Sequence, residues 1–314
     1  MKLENVNHIA IIGTGMIGAS MAVLFTGNGY KTTMLANTGA AKGLESYNTY
    51  YKDLIEKKLV TSAQAATCAK LLHFTQKYED LADADFIFEC VVERLSIKHA
   101  VYKELEKHCK QFKAIASSTS AISVEDLAEG LEQKEKFSVA HPFNPPHLVP
   151  FVEVVKSNFT SNESIKVITD ILESVGREVV VMKKSAPGFI ANRLQHALFR
   201  EAVHMVEQGI TTPEDIDKAL QFSFIPRYTS IGLFEHFDYA GLDMIVSIED
   251  YLFPTLSNAK KTQDYIRTLH DAGQLGFKTG KGVYDWSKKD VNNFRQRASA
   301  PYLHFFNWSL PEDK

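Results

Sequence analysis

Cysteine is scarce in this sequence of 314 residues. Only Cys68, Cys90 and Cys109 occur, none of them in a C-x-x-C arrangement, and the odd number leaves at least one thiol unpaired. A scaffold held together by disulfides in an oxidising compartment is therefore not expected. The cysteine content instead favours reduced thiols and a cytoplasmic location.

Long apolar runs are also missing. No run approaches the ~20 residues that a helix needs to span a bilayer. The N-terminal sequence "MKLENVNHIAIIG" has charged residues near its start and lacks the apolar segment and cleavage site of a secretory signal. We therefore expect a chain that does not act at a membrane.

Neither charge nor metal ligands are concentrated in the sequence. The formal net charge is −3, and no long run of like charge offers a basic surface for nucleic acid. The eleven histidines include no H-E-x-x-H motif and no Cys/His cluster, so no metal site is predicted.

The length predicts two domains with sizeable cores.

The first 180 residues alternate short apolar runs with amphipathic stretches. This alternation is typical of a mainly parallel sheet with helices on both faces. Two helical stretches within 40–70 are too long for a simple crossover and predict a helical hairpin inserted after the second strand. Strands are predicted at 8–13, 31–35, 71–75, 85–91, 113–118, 137–142, 150–155 and 177–183, and other helices at 16–29, 96–110 and 161–176.

A glycine-rich loop, "GTGMIG", joins the first strand to the first helix. Gly13 permits a tight turn, Gly15 lets the backbone approach a pyrophosphate, and Gly18 lets the helix pack on the strand. The helix N-terminus places partial positive charge beside the phosphates. Because the strand before and the helix after are both present, the loop predicts a dinucleotide site, in which we include Met16 and Ile17.

The cofactor depends on the residue at the end of the second strand. An Asp or Glu is expected there to bind the adenosine ribose, but Asn37 stands 19 residues after Gly18. Asparagine can accept a hydrogen bond from a ribose hydroxyl, yet it does not repel a 2′-phosphate, and Thr38 and Lys42 lie nearby in the sequence and could help to bind one. NAD(H) is predicted because no arginine is present there, and NADP(H) remains an alternative.

The pattern changes near residue 186. Pro187 and Gly188 precede a long amphipathic helix at 186–209, and the rest is mainly helical. We therefore predict a Rossmann-type, doubly wound α/β domain at 1–186 and an all-α domain for substrate binding and dimerisation at 187–314. The long helix is a candidate subunit contact.

The stretch "HPFNPPHLVPFVEVV" carries the residues with the clearest chemistry. His141 precedes four prolines within ten residues, and Glu153 follows in a β-branched run. Oxidation of an alcohol by hydride transfer needs a base, and histidine can accept a proton near neutral pH. A carboxylate can orient the ring and stabilise its charged form, provided that the two strands bring Glu153 to His141. The alternative is a structural histidine in a rigid loop.

Several motifs in order resemble the L-3-hydroxyacyl-CoA dehydrogenases. The resemblance extends from about residue 7 to about residue 286. It includes "GTGMIG", "ECVVERLSIKHAVYKEL", "SSTSAIS", "HPFNPPHLVPFVEVV", "APGFIANRLQHAL", "GLFEHFDYAGLDM" and "GFKTGKGVYDW".

The resemblance implies a Rossmann-type domain, a helical domain that forms a homodimer, and a place in fatty acid metabolism. It implies His141 as the base and Glu153 as its partner. Ser120 and Asn192 fall where this family holds the substrate's oxygens. Taken singly, Ser120 would be a turn or cap serine and Asn192 an exposed helix residue. Their joint order along the chain favours the functional interpretation.

The same family lines the nicotinamide side of its cofactor cleft with residues that correspond to Glu93 and Lys98. An ordinary surface ion pair is the alternative for these two.

The substrate is less well defined by sequence. "HPFNPPHLVP", "NRLQHAL" and "EQGITTPEDID" also resemble the branch that oxidises free 3-hydroxy acids, of the gulonate dehydrogenase and λ-crystallin kind. "GFKTGKGVYDW" resembles the short-chain hydroxybutyryl-CoA enzymes. Lys52, Lys57 and Lys58 are candidates for CoA phosphates or for a solvated helix face.

We predict hydride transfer between NAD(H) and a short L-3-hydroxyacyl-CoA or its 3-ketoacyl-CoA. A free 3-hydroxy acid such as L-gulonate or carnitine is the alternative. A non-catalytic binding or structural protein on the same fold is a remote third, and the intact His141–Glu153 pair argues against it.

Overall fold

The computed structural model describes residues 2–36 and 39–310, and these form two compact units. The first extends to Ile190 and includes the chain from Arg297 onward, and the second is Ala191–Gln296. The first unit contains one sheet of eight strands in the order β3-β2-β1-β4-β5-β6-β7-β8. The strands are β1 (His8–Ile12), β2 (Lys31–Leu35), β3 (Leu72–Thr75), β4 (Phe86–Glu89), β5 (Ala114–Ser117), β6 (Phe137–Pro142), β7 (Phe151–Val155) and β8 (Glu178–Met182).

Every neighbouring pair of strands in this sheet is parallel except β6 and β7. All five residues of β1 are buried, because helices cover both faces of the sheet. The strand order reverses between β1 and β4, and such a switch point opens a crevice at the carboxyl ends of the strands. The predicted Rossmann-type sheet is confirmed.

Helices cover the sheet and also form the predicted insert. The hairpin after β2 consists of α2 and α3, and α3 begins with a capping box in which Thr61 and Gln64 satisfy each other's backbone N–H groups. The helices of the first unit are α1 (Met16–Gly27), α2 (Ala40–Glu56), α3 (Ser62–Ala69), α4 (Leu95–His108), α5 (Val124–Leu127) and α6 (Asn162–Ser174).

The second unit is helical, as the sequence predicts for this half of the chain. It contains α7 (Ala191–Glu207), α8 (Pro213–Phe222), α9 (Leu233–Ala240), α10 (Leu242–Leu252) and α11 (Asp264–Asp271), and α12 (Val291–Ser299) extends past its end. Val203 is the one residue of Ala191–Gln296 that is fully buried. This unit therefore has almost no core within a single chain.

The C-terminal segment packs on the first unit, whereas the sequence-based division placed all of 187–314 with the helical domain. The Trp308 ring lies against Gly27 at the end of α1, and Ser309 N–H donates to the Asn28 side chain (3.0 Å). Sequence periodicity does not reveal which core a short apolar tail will join.

No helix among the described residues is long and apolar enough to cross a bilayer. No group of three or more His, Cys, Asp or Glu side chains within 2–36 and 39–310 is arranged to hold a metal ion. Cys68, Cys90 and Cys109 are all free thiols.

The contact between Gly27 and Trp308 yields a test of the C-terminal segment. A methyl group on Gly27 would overlap the indole ring, so Gly27→Ala should lower the free energy of unfolding by about 1–3 kcal/mol through overpacking. Urea denaturation measures this difference.

The matched control is Gly27→Ala combined with Trp308→Leu, which restores the space. The double variant should lose less stability than the sum of the two single changes. Strict additivity would show that Trp308 does not occupy this position.

Candidate functional site

The glycine loop of the first unit has the conformation that the sequence predicts. Gly13 adopts φ 109°, and a methyl carbon there would lie 2.7 Å from the Cys90 carbonyl oxygen. A methyl carbon on Gly18 would overlap the Gly13 carbonyl oxygen. A methyl carbon on Gly15 would meet nothing within 4 Å. The fold therefore requires Gly13 and Gly18, while Gly15 leaves open space at the N-terminus of α1.

The space beside this loop is a cleft of ≈ 320 Å³ at the carboxyl ends of β1, β2 and β4. Its position at the switch point, the positive end of α1 and the bare backbone at Gly15 fit a dinucleotide. Met16 is exposed there, whereas Ile17 packs against the core. Asn37 and Thr38 lie outside the described residues. The cleft is lined by Ile12, Gly13, Thr14, Gly15, Leu35, Ala36, Cys90, Val91, Val92 and Ile97.

His141 and Glu153 are brought together by the antiparallel pairing of β6 with β7. The two residues lie directly opposite each other in the register, where side chains of an antiparallel pair meet on one face. His141 Nδ1 lies 2.9 Å from Glu153 Oε2, and Glu153 has no exposed surface. The carboxylate therefore accepts a hydrogen bond from a protonated Nδ1, and Nε2 of the ring can then act as a base.

The chain that follows β8 completes the environment of this pair. Ile190 N–H donates to the second carboxylate oxygen of Glu153 (2.7 Å). Phe189 is buried with φ 49°, a left-handed conformation that is rare for a bulky residue. Its ring centroid lies 5.4 Å from that of His141, and the ring centroid of Phe143 lies 5.5 Å from that of His141. The two aromatic rings limit the access of water to the imidazole.

Two further side chains fix the proline loop between β6 and β7. The Ser20 hydroxyl of α1 lies 2.7 Å from His147 Nδ1 and accepts the His147 backbone N–H. Burial lowers the pKa of His147 to about 4, so its ring is neutral at pH 7. Arg177 donates to the carbonyl oxygens of Pro146 and Val149 (2.9 and 3.0 Å). The loop is therefore held by contacts as well as by its prolines.

Glu93 and Lys98 form an ion pair at 3.3 Å, but not an ordinary surface pair, because Lys98 is only 1% exposed. Glu93 accepts hydrogen bonds from the Thr119 hydroxyl and from Ser120 N–H. Burial alone would raise the pKa of Glu93, but the Thr119 hydroxyl and the Lys98 ammonium lower it below its usual value. Glu93 therefore remains a carboxylate and holds the turn that carries Ser120.

Ser120 lies at the same edge of the sheet as His141. Ser117, the last residue of β5, pairs with Val139 in β6, and both chains leave the sheet within three residues of this pair. The Ser120 side chain is exposed. Asn192 lies in the first turn of α7, in the second unit. The roles of Ser120 and Asn192 towards a substrate remain predictions.

Sequence reasoning missed Glu89, the last residue of β4. It is fully buried, and both of its oxygens lie within 2.9 Å of Lys98 Nζ. A charged residue that ends a buried parallel strand, in "DFIFE", was the available signal. Ser20, His147 and Arg177 were missed as well, and no local motif marks them.

The glycine loop yields a test of the cofactor cleft. Gly15→Val should leave the fold intact, because Gly15 has φ −69°, which any residue adopts, and nothing lies near its Cβ. The valine side chain would occupy the space beside α1, so NADH affinity should fall at least tenfold. Fluorescence titration with NADH and thermal unfolding measure the two effects. Unchanged affinity would show that the dinucleotide binds elsewhere.

Two family models match this chain. The NAD binding domain of 3-hydroxyacyl-CoA dehydrogenase matches residues 8–185, and the C-terminal domain of 3-hydroxyacyl-CoA dehydrogenase matches residues 188–286.

Individual relatives have different substrates in their names. The 5-formyl-3-hydroxy-2-methylpyridine 4-carboxylate 5-dehydrogenase of Mesorhizobium japonicum is 31% identical over 288 residues, which cover 91% of this chain and 93% of that protein. The L-carnitine dehydrogenase of Oceanobacillus iheyensis is 36% identical over 234 residues, which cover 74% and 76%.

Among solved structures, the 5-formyl-3-hydroxy-2-methylpyridine 4-carboxylic acid 5-dehydrogenase, described as an NAD⁺-dependent dismutase, superposes with a TM-score of 0.84. It is 28% identical and covers 95% of this chain and 97% of that one. With both family models matched in order across the cleft-bearing unit and the helical unit, the chain belongs to the 3-hydroxyacyl-CoA dehydrogenase family and is an NAD-dependent oxidoreductase that acts on a CH–OH group.

Proposed function

We propose that the protein interconverts a short L-3-hydroxyacyl-CoA and the corresponding 3-ketoacyl-CoA, with His141 as the general base. The buried His141–Glu153 pair is the observation that carries this proposal. Nδ1 is engaged by the carboxylate, so Nε2 takes the hydroxyl proton of the substrate during oxidation. The imidazolium that forms is stabilised by Glu153, which stays in place through its bond from Ile190 N–H.

The remaining site residues have supporting roles in this proposal. Bound NAD⁺ supplies the hydride acceptor. Gly13, Gly15, Met16, Ile17, Gly18 and Asn37 would hold the pyrophosphate and adenosine end, and Glu93 and Lys98 the nicotinamide side. Ser120 and Asn192 would hold the carbonyl oxygen that develops at C3 and the second carbonyl of the substrate. The free thiols support a cytoplasmic location.

A free 3-hydroxy acid is the second candidate substrate, and one observation favours it. Lys57 is paired with Asp53, and Lys52 lies 3.9 Å from Glu56, so two of the three lysines proposed for CoA phosphates already have carboxylate neighbours. The similarity to L-carnitine dehydrogenases also supports a free 3-hydroxy acid as the substrate.

A substrate scan distinguishes these candidates. We expect turnover of acetoacetyl-CoA with NADH to exceed turnover of L-carnitine or L-gulonate with NAD⁺, measured as kcat/KM at 340 nm. The opposite order would assign the protein to the free-acid candidate. Absence of turnover with every 3-hydroxy or 3-keto compound would contradict both.

The general base is tested on whichever substrate is active. His141→Gln should lower kcat by about 10²–10⁴-fold, the usual contribution of general base catalysis, because glutamine cannot take the proton. NADH affinity should stay within twofold. His99→Gln is the matched control, because His99 lies on α4, its Nε2 bonds to the Asp126 carbonyl oxygen, and it has no role in the proposed site. Near-normal kcat in His141→Gln would show that another group is the base.

We also propose that the protein forms a homodimer through its second unit. Apolar side chains of α9 and α10 are exposed in the single chain, among them Phe234 (89%), Tyr239 (92%) and Tyr251 (84%). A segment of this length needs a core, and here Val203 alone is fully buried. A second copy of the chain can cover these faces, as in obligate dimers with apolar interfaces.

Sedimentation at micromolar concentration tests the dimer. The wild type should sediment at twice the chain mass of 35.3 kDa. The double variant Phe234→Glu with Tyr251→Glu should sediment closer to the mass of the monomer, because dimerisation would bury two unpaired carboxylates in the interface. The control Leu44→Glu changes an exposed apolar residue of the first unit and should leave the dimer intact. A wild-type monomer would contradict the proposal.

A further inference from the structure

Glu89 connects three separate segments at the carboxyl edge of the sheet. Within β4 it pairs in register with Ser117 of β5, and the Ser117 hydroxyl donates to Glu89 Oε2 (2.7 Å). The Tyr102 hydroxyl and the Lys98 ammonium of α4 donate to the same carboxylate (2.6 and 2.8–2.9 Å). Val91 N–H, two residues further along the chain, donates to Oε1 (2.7 Å). The carboxylate thus receives four donor groups in the protein interior.

One of these contacts reaches the wall of the cofactor cleft, and another leads to the turn after β5. Cys90, Val91 and Val92 form one wall of that cleft, and the bond from Val91 N–H to Glu89 fixes this wall. Lys98, which is held by Glu89, is also the cation beside Glu93. Glu93 in turn accepts from the Thr119 hydroxyl and from Ser120 N–H. A chain of contacts therefore runs from Glu89 through Lys98 to the turn after β5.

The charges of this cluster explain why a carboxylate is needed at Glu89. Lys98 is 1% exposed and Glu89 0%, so the ammonium cannot be solvated by water. A buried charge without a partner costs several kcal/mol. Without Glu89, Glu93, which is 38% exposed, would hold Lys98 by itself and would pull the ammonium away from its present position. Burial, and then the Glu89 carboxylate beside it, raises the pKa of Tyr102 well above its usual value, so Tyr102 remains a neutral donor.

We propose that Glu89 is a positioning residue for the cofactor: its carboxylate holds Lys98 and the 90–92 segment, and through them sets the nicotinamide side of the cleft. This inference rests on the proposed placement of Glu93 and Lys98 beside the nicotinamide. Glu89 itself is buried beneath the cleft wall and acts through its neighbours.

NADH binding tests the inference without any substrate, so a wrong substrate assignment cannot affect the result. Glu89→Gln keeps the size of the side chain and removes its charge. We expect the Kd for NADH to rise about tenfold, because Lys98 loses its inner partner and Val91 N–H loses a charged acceptor. A tenfold change corresponds to about 1.4 kcal/mol. Fluorescence titration with NADH measures Kd, and thermal unfolding is recorded in parallel.

The matched control is Glu106→Gln. Glu106 is also a buried carboxylate, but it lies on α4 and accepts hydrogen bonds from the backbone N–H groups of Glu132 and Gln133, away from the cleft. Its substitution should lower thermal stability and leave NADH affinity unchanged. If Glu89→Gln behaves like Glu106→Gln, with lower stability and unchanged NADH affinity, Glu89 is a structural residue and the inference is overturned.

A double-mutant cycle tests whether Glu89 acts through Lys98. In a Lys98→Met background, Glu89→Gln should change the Kd for NADH by a smaller factor than in the wild-type background, because only the bond from Val91 N–H then remains to be weakened. Fully additive effects would overturn the proposed chain of contacts. Should Glu89→Gln fail to fold, Ser117→Ala and Tyr102→Phe each remove one donor to the same oxygen. Each should raise Kd about two- to fivefold, and wild-type affinity in both would overturn the inference.

Discussion

The antiparallel pairing of β6 with β7 is the constraint on which the catalytic arrangement depends. All other neighbouring strands of the sheet are parallel, so residues close together in the sequence at the end of one strand are not placed opposite each other in the next strand. The reversal at the proline loop places His141 directly opposite Glu153 in the register. Side chains in such a pair lie about 4.5–5.5 Å apart at Cβ, close enough for an imidazole and a carboxylate to bond. A shift of the register by one residue would point one of them to the other face of the sheet.

The register of β6 with β7 is stabilised by contacts with several other segments. Ser20 and Arg177 hold the backbone of the proline loop; Ser20 belongs to α1, and Arg177 directly precedes β8. On the far side, the turn after β8 supplies both the Phe189 ring and the Ile190 N–H. The left-handed φ of Phe189 costs about 1–3 kcal/mol, and such strain persists only where the surroundings impose it. The local geometry of the pair is thus determined by segments distant in sequence.

Much of this architecture could be predicted from the sequence. Alternating apolar runs predict the eight strands, and the glycine loop predicts the cleft, because both signals are local and periodic. His141 and Glu153 could be proposed as a pair because the proline loop limits how the chain returns. The position of Glu89 at the end of a buried strand marks it as unusual, but its role could not be predicted, since its partners Lys98, Tyr102 and Ser117 lie up to 28 residues away. The C-terminal segment joined the first unit through Trp308 and Gly27, a contact between residues with no shared pattern.

The two buried carboxylates of the sheet face different requirements. Glu89 neutralises Lys98, whose charge does not change during a reaction, so the ion pair itself can satisfy both groups. Glu153 faces a histidine whose charge must change in each catalytic cycle if His141 is the base. A carboxylate held only by the imidazole would lose the positive charge of its partner whenever the ring became neutral, and only the weaker bond from an uncharged Nδ1–H would remain. The bond from Ile190 N–H to the other oxygen of Glu153 is independent of the ring's protonation. It keeps the carboxylate in place in both states, and the ring can therefore gain and lose its proton without a rearrangement of the strands around it.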